Sequence, residues 1–216
     1  ETEGIYRHSF FDNYYTHNLE TGVTRPLSDF ETGKQRLAAF SPDAKQVAFV
    51  RDNNVFIVDL ESSVETQVTT DGERNKIING ASDWVYEEEF GKDNGIFWSP
   101  DGKFLAFYRF DESGVKEFSM PMYGQLYPEP YTFKYPKAGE DNAEVNVFVF
   151  NTETGRTSSV LNSKTEYIPR VKWGMNSEQL VLMTMNRHQS EMSILIGDCA
   201  AAGAAGVMMK EVWTES

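Results

Sequence analysis

The pattern of apolar and polar residues along this chain favours β-strands joined by tight turns. Two segments share one pattern, FSPDAKQVAFV at residues 40–50 and WSPDGKFLAFY at residues 98–108, and a degraded copy, WGMNSEQLVLM, covers residues 173–183. In each copy an aromatic residue ends one strand, a polar turn of the Ser-Pro-Asp type follows, and a second strand of alternating apolar residues begins. The copies therefore predict a repeated β-hairpin.

Other parts of the chain extend this pattern. Further strands are predicted over residues 54–60, 144–151 and 191–197, and nothing between them shows sustained helical periodicity. The segment GDCAAAGAAGVMMKEVW near the end lacks polar turn chemistry, and we interpret it as a loose connection to a final strand. Consecutive antiparallel hairpins of this kind are typical of four-stranded β-propeller blades, each of roughly 40–50 residues. The predicted fold class is all-β, a β-propeller.

Successive copies of the hairpin are farther apart than one blade period, which indicates insertions. The first stretch of extra chain lies at residues 77–95, and the second lies at residues 120–142, which are rich in Pro, Gly and Tyr. Insertions between blade strands usually lie on one face of the propeller, often the binding face. A chain of 216 residues would make about four or five blades. It is therefore either a small complete ring or a piece of a larger one.

Composition narrows the classes of partner. The chain has 33 acidic and 20 basic residues, a formal charge of −13 that repels nucleic-acid phosphates and anionic membranes. No apolar run approaches the roughly 18 residues of a membrane-spanning helix. The single cysteine, Cys199, has no second thiol for an internal disulfide, so we expect an inert small residue. Nucleic acid is not an expected partner.

The segment DWVYEEEF, residues 83–90, places three glutamates behind a Trp and a Tyr in the first insertion. A run of acidic residues is most often a solvated surface. On a strand Glu88 and Glu89 would point to opposite faces, but on a short helix they lie about 100° apart and their carboxylates can converge. Convergence of two like charges is costly unless a cation lies between them. Because no Asp-rich loop supplies the further oxygen ligands that a hard metal ion needs, an ammonium group of a ligand fits better.

A second candidate residue is Arg7, in the segment YRHSFF at residues 6–11. An arginine in an aromatic run can simply lie at a strand edge with its charge in water. Its functional use would be to hydrogen-bond a carbonyl or carboxylate with its planar guanidinium, close to the glutamate pair. We expect no metal or other cofactor.

Together these motifs resemble one known family. DWVYEEEF, YRHSF, YPKAG at residues 135–139 and the WSPDGKFLAF hairpin are similar to the N-terminal propeller of dipeptidyl peptidase IV, a serine exopeptidase of the prolyl oligopeptidase clan. The resemblance implies that residues 1–216 form about half of an eight-bladed propeller, with a short helical insertion that carries the glutamates. It also implies an α/β-hydrolase domain beyond Ser216, because the chain has no Gly-x-Ser-x-Gly motif.

The resemblance also implies a function and a set of site residues. The family releases N-terminal dipeptides with Pro or Ala in second position. Glu88 and Glu89 match the residues that bind the substrate's free α-amino group, Arg7 matches the arginine that contacts the first substrate carbonyl, and Glu87 has no usual substrate role. The implied partners are peptides with a free N-terminus, the protein's own C-terminal hydrolase domain and a second copy in a homodimer. The implied location is extracytoplasmic, periplasmic or at the cell surface, and the chain alone should be inactive.

Two other functions stay open on the sequence alone. A tripeptidyl-releasing relative would hold the substrate amine farther from the nucleophile and should lack the uninterrupted glutamate motif, so the intact motif argues against it. A non-enzymatic propeller that binds protein partners would be distinguished only by residues downstream of Ser216. We also expect unpaired strand edges to make the isolated chain associate or aggregate.

Overall fold

The structure is a computed structural model that describes residues 2–161 and 165–216. These residues contain a 3-10 helix (Phe30–Thr32) and one α-helix, α1 (Trp84–Glu88). The strands in chain order are β1 (Glu3–Gly4), β2 (Phe10–Phe11), β3 (Tyr15–His17), β4 (Thr24–Pro26), β5 (Arg36–Phe40), β6 (Gln46–Arg51), β7 (Asn54–Asp59), β8 (Glu65–Gln67), β9 (Ile77–Asn79), β10 (Ile96–Trp98), β11 (Phe104–Asp111), β12 (Glu117–Met122), β13 (Glu129–Lys134), β14 (Glu144–Asn151), β15 (Arg156–Leu161), β16 (Tyr167–Trp173), β17 (Gln179–Met185), β18 (Met192–Asp198) and β19 (Val207–Glu215).

The strands form consecutive four-stranded units of the kind that propeller blades have. Blade 1 is β5-β6-β7-β8, blade 2 is β10-β11-β14-β15, and blade 3 is β16-β17-β18-β19. Within each blade neighbouring strands are antiparallel, while a short parallel pairing of β15 with β19 joins blades 2 and 3 into one nine-stranded sheet that includes β9. The predicted all-β propeller fold is confirmed. The described residues hold fewer full blades than the chain length suggests, because insertions and two-stranded hairpins occupy part of it.

The tryptophans that begin the second and third copies of the repeat join neighbouring blades. Strands β5, β10 and β16 end at Phe40, Trp98 and Trp173, as the repeat predicts. The indole nitrogen of Trp98 donates to the carbonyl of Ala39 in blade 1 at 3.1 Å. The indole nitrogen of Trp173 donates to the carbonyl of Phe97 in blade 2 at 2.9 Å. The two bonds are equivalent, so the recurrent tryptophan aligns the first strand of each blade with that of the blade before.

The Ser-Pro-Asp turns are built by the same side-chain hydrogen bonds in both copies. Ser41 Oγ donates to Asp43 Oδ1 at 2.7 Å and accepts from the backbone amide that starts β6 at 2.9 Å. Ser99 Oγ donates to Asp101 Oδ1 at 2.8 Å and accepts from the amide that starts β11 at 3.0 Å. Serine and aspartate form such local turns readily, which explains why the motif recurs.

The hydrophobic core is concentrated on β11, the second strand of blade 2. Its largest fully buried side chains are Leu105, Phe107, Tyr108 and Phe110. They belong to a cluster that runs from blade 1 across blade 2 to blade 3. Each such side chain contributes about 1.5–3 kcal/mol to the free energy of folding when it is fully buried. Blade 2 therefore gives the insertion at residues 77–95 a well-packed support.

The first insertion interrupts the first strand position of blade 2. Strand β9 pairs with β11 at Arg109–Asp111, and β10 pairs with the same edge of β11 at Leu105–Phe107. The chain leaves this edge at Gly80, which has a φ of +74° and where a Cβ would come within 2.6 Å of Val55 Cγ2. A glycine is thus required on both conformational and steric grounds. The insertion predicted at residues 77–95 lies between two collinear strands, β9 and β10, and contains α1.

The second predicted insertion, residues 120–142, overlaps a hairpin formed by β12 and β13. These strands pair with each other, and the tip exposes Met122, Tyr123, Leu126 and Tyr127. The end of the chain also matches its interpretation, because the Ala- and Gly-rich segment leads into the final strand β19. No helix in the described residues has the length and apolar character to cross a membrane.

Cys199 is buried in the main core cluster. Burial, followed by the charge of Asp198, raises the pKa of its thiol to about 12. The thiol therefore stays protonated at physiological pH, which agrees with an inert role.

Candidate functional site

The acidic motif forms the short helix α1, as predicted. Asp83 is the N-cap residue, and its Oδ1 accepts a hydrogen bond from the backbone amide of Tyr86 at 2.9 Å. Glu89 is the C-cap residue, and its amide donates to the carbonyl of Val85 at 2.8 Å. A helix of five residues is not stable by its own backbone hydrogen bonds, so contacts with the blades must hold it.

Tyr86 supplies the main anchor. Its buried ring packs edge-on against Tyr108 and Phe110 of blade 2, with ring centroids 5.6 and 4.7 Å apart. Its hydroxyl accepts a hydrogen bond of 2.7 Å from the backbone amide of Ile168 in blade 3. The Tyr108 hydroxyl donates to the carbonyl of the same Ile168, also at 2.7 Å. Helix α1 is therefore fixed to the first strand of blade 3 as well as to blade 2.

The three glutamates have three different environments. Glu87 is 1% exposed, and its Oε1 accepts hydrogen bonds from the amides of His8 and Ser9 at 2.7 and 3.0 Å. The Glu88 side chain is 17% exposed. Glu89 is exposed. The motif is thus not a uniform solvated surface, because one carboxylate is buried, one is half-buried and one faces water.

The structure brings Arg7 and Glu88 together, as the sequence analysis expected. Arg7 Nε lies 2.9 Å from Glu88 Oε2 and 3.2 Å from Oε1. The Arg7 side chain is 71% exposed, so the ion pair contributes at most about 1 kcal/mol to stability. Within the described ranges the Glu89 carboxylate makes no ion pair or hydrogen bond. Convergence of Glu88 and Glu89 on one cation stays a prediction.

Aromatic residues at the base of the β12–β13 hairpin support both halves of the site. Trp84, at the start of α1, packs on Tyr135 with ring centroids 4.3 Å apart. Tyr6, which precedes Arg7, packs on Phe133 at 6.1 Å. The hairpin therefore contributes to the site through its base, while its tip points away into solvent.

A cavity of about 470 Å³ lies behind the two segments. It is lined by Tyr6, Arg36, Ser82 and Glu112, among other described residues, but not by the substrate-site candidates themselves. Burial, followed by the charge of Asp83, raises the pKa of Glu112 to about 7, and burial raises the pKa of Asp83 to about 7. Both carboxyl groups beside α1 therefore hold their protons more tightly than exposed carboxyl groups do.

The arrangement of Arg7 and the glutamates can bind charged and polar groups of a ligand. Carboxylates and a guanidinium at a surface can hold an ammonium group and a carbonyl oxygen. Among residues 2–161 and 165–216, no cluster of three or more His, Cys, Asp or Glu side chains could hold a metal ion.

Sequence reasoning missed two residues of the site. Asp83 could have been found, because an aspartate directly before a short helix is a common N-cap signal. Glu87 could not, because its burial depends on the amides of His8 and Ser9, which are 79 and 78 positions away in the chain.

The blades and their helical insertion define the chain as part of a β-propeller domain. Over residues 1–215 it matches the family described as the dipeptidyl peptidase IV (DPP IV) N-terminal region. The chain belongs to this family, which confirms the resemblance seen in the motifs.

Known relatives agree with this assignment. The chain is 44% identical to dipeptidyl peptidase 4 of Porphyromonas gingivalis, whose crystal structure superposes with a TM-score of 0.91 over 100% of this chain and 30% of that one. It is 38% identical over 211 residues to the probable dipeptidyl-aminopeptidase B of Uncinocarpus reesii, covering 89% of this chain and 23% of the relative. It is 36% identical over 205 residues to the probable dipeptidyl peptidase 4 of Aspergillus clavatus, covering 89% and 26%. The chain spans about a quarter of the length of these curated relatives.

Proposed function

We propose that this chain is the substrate-recognition part of a serine-type dipeptidyl peptidase. In this proposal Glu88 and Glu89 bind the α-ammonium group of a peptide substrate, and Arg7 contacts its first carbonyl. The observation that carries it is the contact of 2.9 Å between Arg7 Nε and Glu88 Oε2. It supports the proposal because the amine and the first carbonyl of a peptide are only a few bonds apart, so their binding groups must be neighbours.

The site would act as a ruler rather than as a catalyst. Holding the ammonium group at a fixed distance from the nucleophile selects the second peptide bond, and it leaves internal bonds of longer peptides uncut. Positioning of this kind lowers the barrier by keeping the substrate in register. The nucleophile would belong to an α/β-hydrolase domain beyond residue 216, so the chain alone would be inactive.

The free protein offers the substrate one engaged and one free carboxylate. Glu88 is paired with Arg7, whereas Glu89 is exposed at the end of α1. An ammonium group carries three donors and can therefore be shared by two carboxylates. On binding, the ammonium would share Glu88 with Arg7, and the Arg7 guanidinium would still have donors free for the carbonyl.

The wider setting is part of the same proposal. The substrates would be peptides with a free N-terminus and with Pro or Ala in second position, and the full-length protein would form a homodimer outside the cytoplasm. The relatives named as dipeptidyl peptidases support the reaction class. The dimer and the location follow from family resemblance.

The test uses the full-length protein and a chromogenic X-Pro dipeptide amide. Glu88→Gln and Glu89→Gln keep side-chain size and remove one charge each, and each should lower kcat/KM at least tenfold, equivalent to about 1.4 kcal/mol. The control is Glu153→Gln, which removes an exposed carboxylate paired with Lys103 at 3.7 Å. Native kinetics in both site variants would refute the ammonium site. Absence of cleavage by the native protein would favour the non-enzymatic alternative.

A further inference from the structure

The first glutamate of the motif, Glu87, is the most buried of the three and has no place in the proposed substrate contacts. A carboxylate that is 1% exposed is costly unless its charge is compensated. The compensation comes from the segment that carries Arg7, because the amides of His8 and Ser9 both donate to Glu87 Oε1. Hydrogen bonds from amides to an ionised carboxylate are roughly twice as strong as neutral ones.

Two links therefore connect the same two segments. The buried link joins Glu87 to the backbone of His8 and Ser9, and the exposed link joins Glu88 to Arg7. Glu87 and Glu88 are adjacent on α1, just as Arg7 is adjacent to His8. Because the exposed ion pair is screened by water and weak, it cannot by itself hold the Arg7 segment against the helix. The buried link can.

A buried arginine also acts electrostatically on Glu87. Arg36, on the first strand of blade 1, is buried. Burial lowers the pKa of its guanidinium, and the charge of Glu87 is among the influences that oppose this effect. Arg36 thus acts on Glu87 through its charge alone, because among the described residues Glu87 Oε2 and Arg36 Nε and Nη2 are buried without a hydrogen-bond partner.

We propose that Glu87 is a positioning residue that fixes the Arg7 segment so that Arg7 and Glu88 meet substrate at a set separation. It acts through Arg7 and does not touch substrate. This inference rests on the proposed function, because it assigns to Glu87 the geometry of the same site.

The test is a double-mutant cycle in the full-length protein, with kcat/KM on a chromogenic X-Pro dipeptide amide as the readout. The variants are Glu87→Gln, Arg7→Ala and their combination. Glu87→Gln keeps an oxygen acceptor of the same size but loses the charge, and it should lower kcat/KM at least threefold. If Glu87 acts through Arg7, the fold-loss in kcat/KM that Glu87→Gln causes should be at most half as large in the Arg7→Ala background as in the native background. A loss of less than threefold in the native background would overturn the proposal. An equal loss in the native and Arg7→Ala backgrounds would also overturn it.

A matched control separates positioning from general loss of stability. Glu65 accepts a hydrogen bond of 2.6 Å from Ser28 and pairs with Arg51 in blade 1, so Glu65→Gln removes another hydrogen-bonded carboxylate, one whose side chain is 27% exposed and lies outside the proposed site. It should lower the melting temperature and leave kcat/KM unchanged. If Glu65→Gln lowers kcat/KM as much as Glu87→Gln does, the loss reflects stability and the proposal is wrong.

A second measurement does not depend on any variant folding. In the native full-length protein, hydrogen–deuterium exchange resolved to single residues should show slow exchange at the amides of His8 and Ser9, which donate to Glu87. Rapid exchange of both would overturn the proposal. Failure of the proposed function looks different, since native kcat/KM in Glu88→Gln and Arg7→Ala would remove the site altogether. If kcat/KM falls in Glu88→Gln and Arg7→Ala but stays native in Glu87→Gln, only the positioning role of Glu87 is refuted.

Discussion

Replacing Tyr86 by Phe should loosen the acidic helix from blade 3 without changing its aromatic packing. The substitution removes one atom, the hydroxyl oxygen that accepts a hydrogen bond of 2.7 Å from the Ile168 amide. The ring stays packed between Tyr108 and Phe110. The perturbation is therefore confined to one buried hydrogen bond between the insertion and its neighbouring blade.

The expected cost follows from the environment of that bond. Tyr86 and Ile168 are both buried, so the amide left behind has no water to replace the lost acceptor. A buried donor without a partner costs about 1–3 kcal/mol. Because the bond joins blades 2 and 3 through α1, the loss should also increase the mobility of Glu88.

The assay is thermal or urea unfolding of the full-length protein, together with kcat/KM on an X-Pro substrate. Tyr127→Phe is the control, since Tyr127 lies exposed near the hairpin tip and should tolerate the same chemical change. We expect Tyr86→Phe to unfold at lower temperature or denaturant than the control and to show lower kcat/KM. Equal stability of the two variants would refute the claim that this hydrogen bond anchors the helix.

Three further predictions concern the stability and chemistry of the insertion and core. Burial raises the pKa of Asp83 to about 7 from its ordinary value of 3.8. Because the native protein then binds this proton more tightly than the unfolded chain does, stability is lost as the pH rises from about 4 to about 7. Asp83→Asn keeps the N-cap oxygen, so its melting temperature relative to native protein should rise across that window, and a constant difference would contradict the assignment. Gly80→Ala should destabilise the protein by more than about 1–3 kcal/mol, since its Cβ would lie 2.6 Å from Val55 Cγ2. The control Gly91→Ala, at a φ of +61° with no atom within 4 Å of the new Cβ, should cost only the backbone strain of about 1 kcal/mol. Equal unfolding midpoints of the two variants would contradict the close packing at Gly80. Iodoacetamide at pH 8 should label Cys199 far more slowly in the folded than in the unfolded protein, and equal rates would show that the thiol is accessible.

The repeated hairpins made the fold predictable from the sequence. Local signals of this kind need no partner elsewhere in the chain, because the serine and aspartate of each turn form their hydrogen bonds within a few residues. Strand ends at Phe40, Trp98 and Trp173 were correct for that reason. The number of blades was less predictable, since a hairpin such as β12–β13 uses chain length without adding to a blade.

The proximity of Arg7 to the glutamate motif was predictable from the sequence, whereas the different burial of the three glutamates was not. Charge and spacing singled out Glu88, Glu89 and Arg7, and the structure places Arg7 against Glu88. The different environments of Glu87 and Glu88 depend on the direction in which each side chain leaves a five-residue helix, and the contact of Tyr86 with Ile168 holds that helix in place. The contact between Tyr86 and Ile168 joins residues 82 positions apart, so no local sequence pattern predicts it.

The most direct test of the ammonium site is the preference of the full-length protein for a free N-terminus. The measurement compares kcat/KM for an X-Pro dipeptide amide with that for its N-acetylated form, in native protein and in Glu88→Gln. We predict that native protein favours the free amine at least tenfold and that Glu88→Gln reduces this ratio substantially. Equal cleavage of both substrates by the native protein, or a ratio unchanged in the variant, would contradict the binding of the substrate ammonium by Glu88.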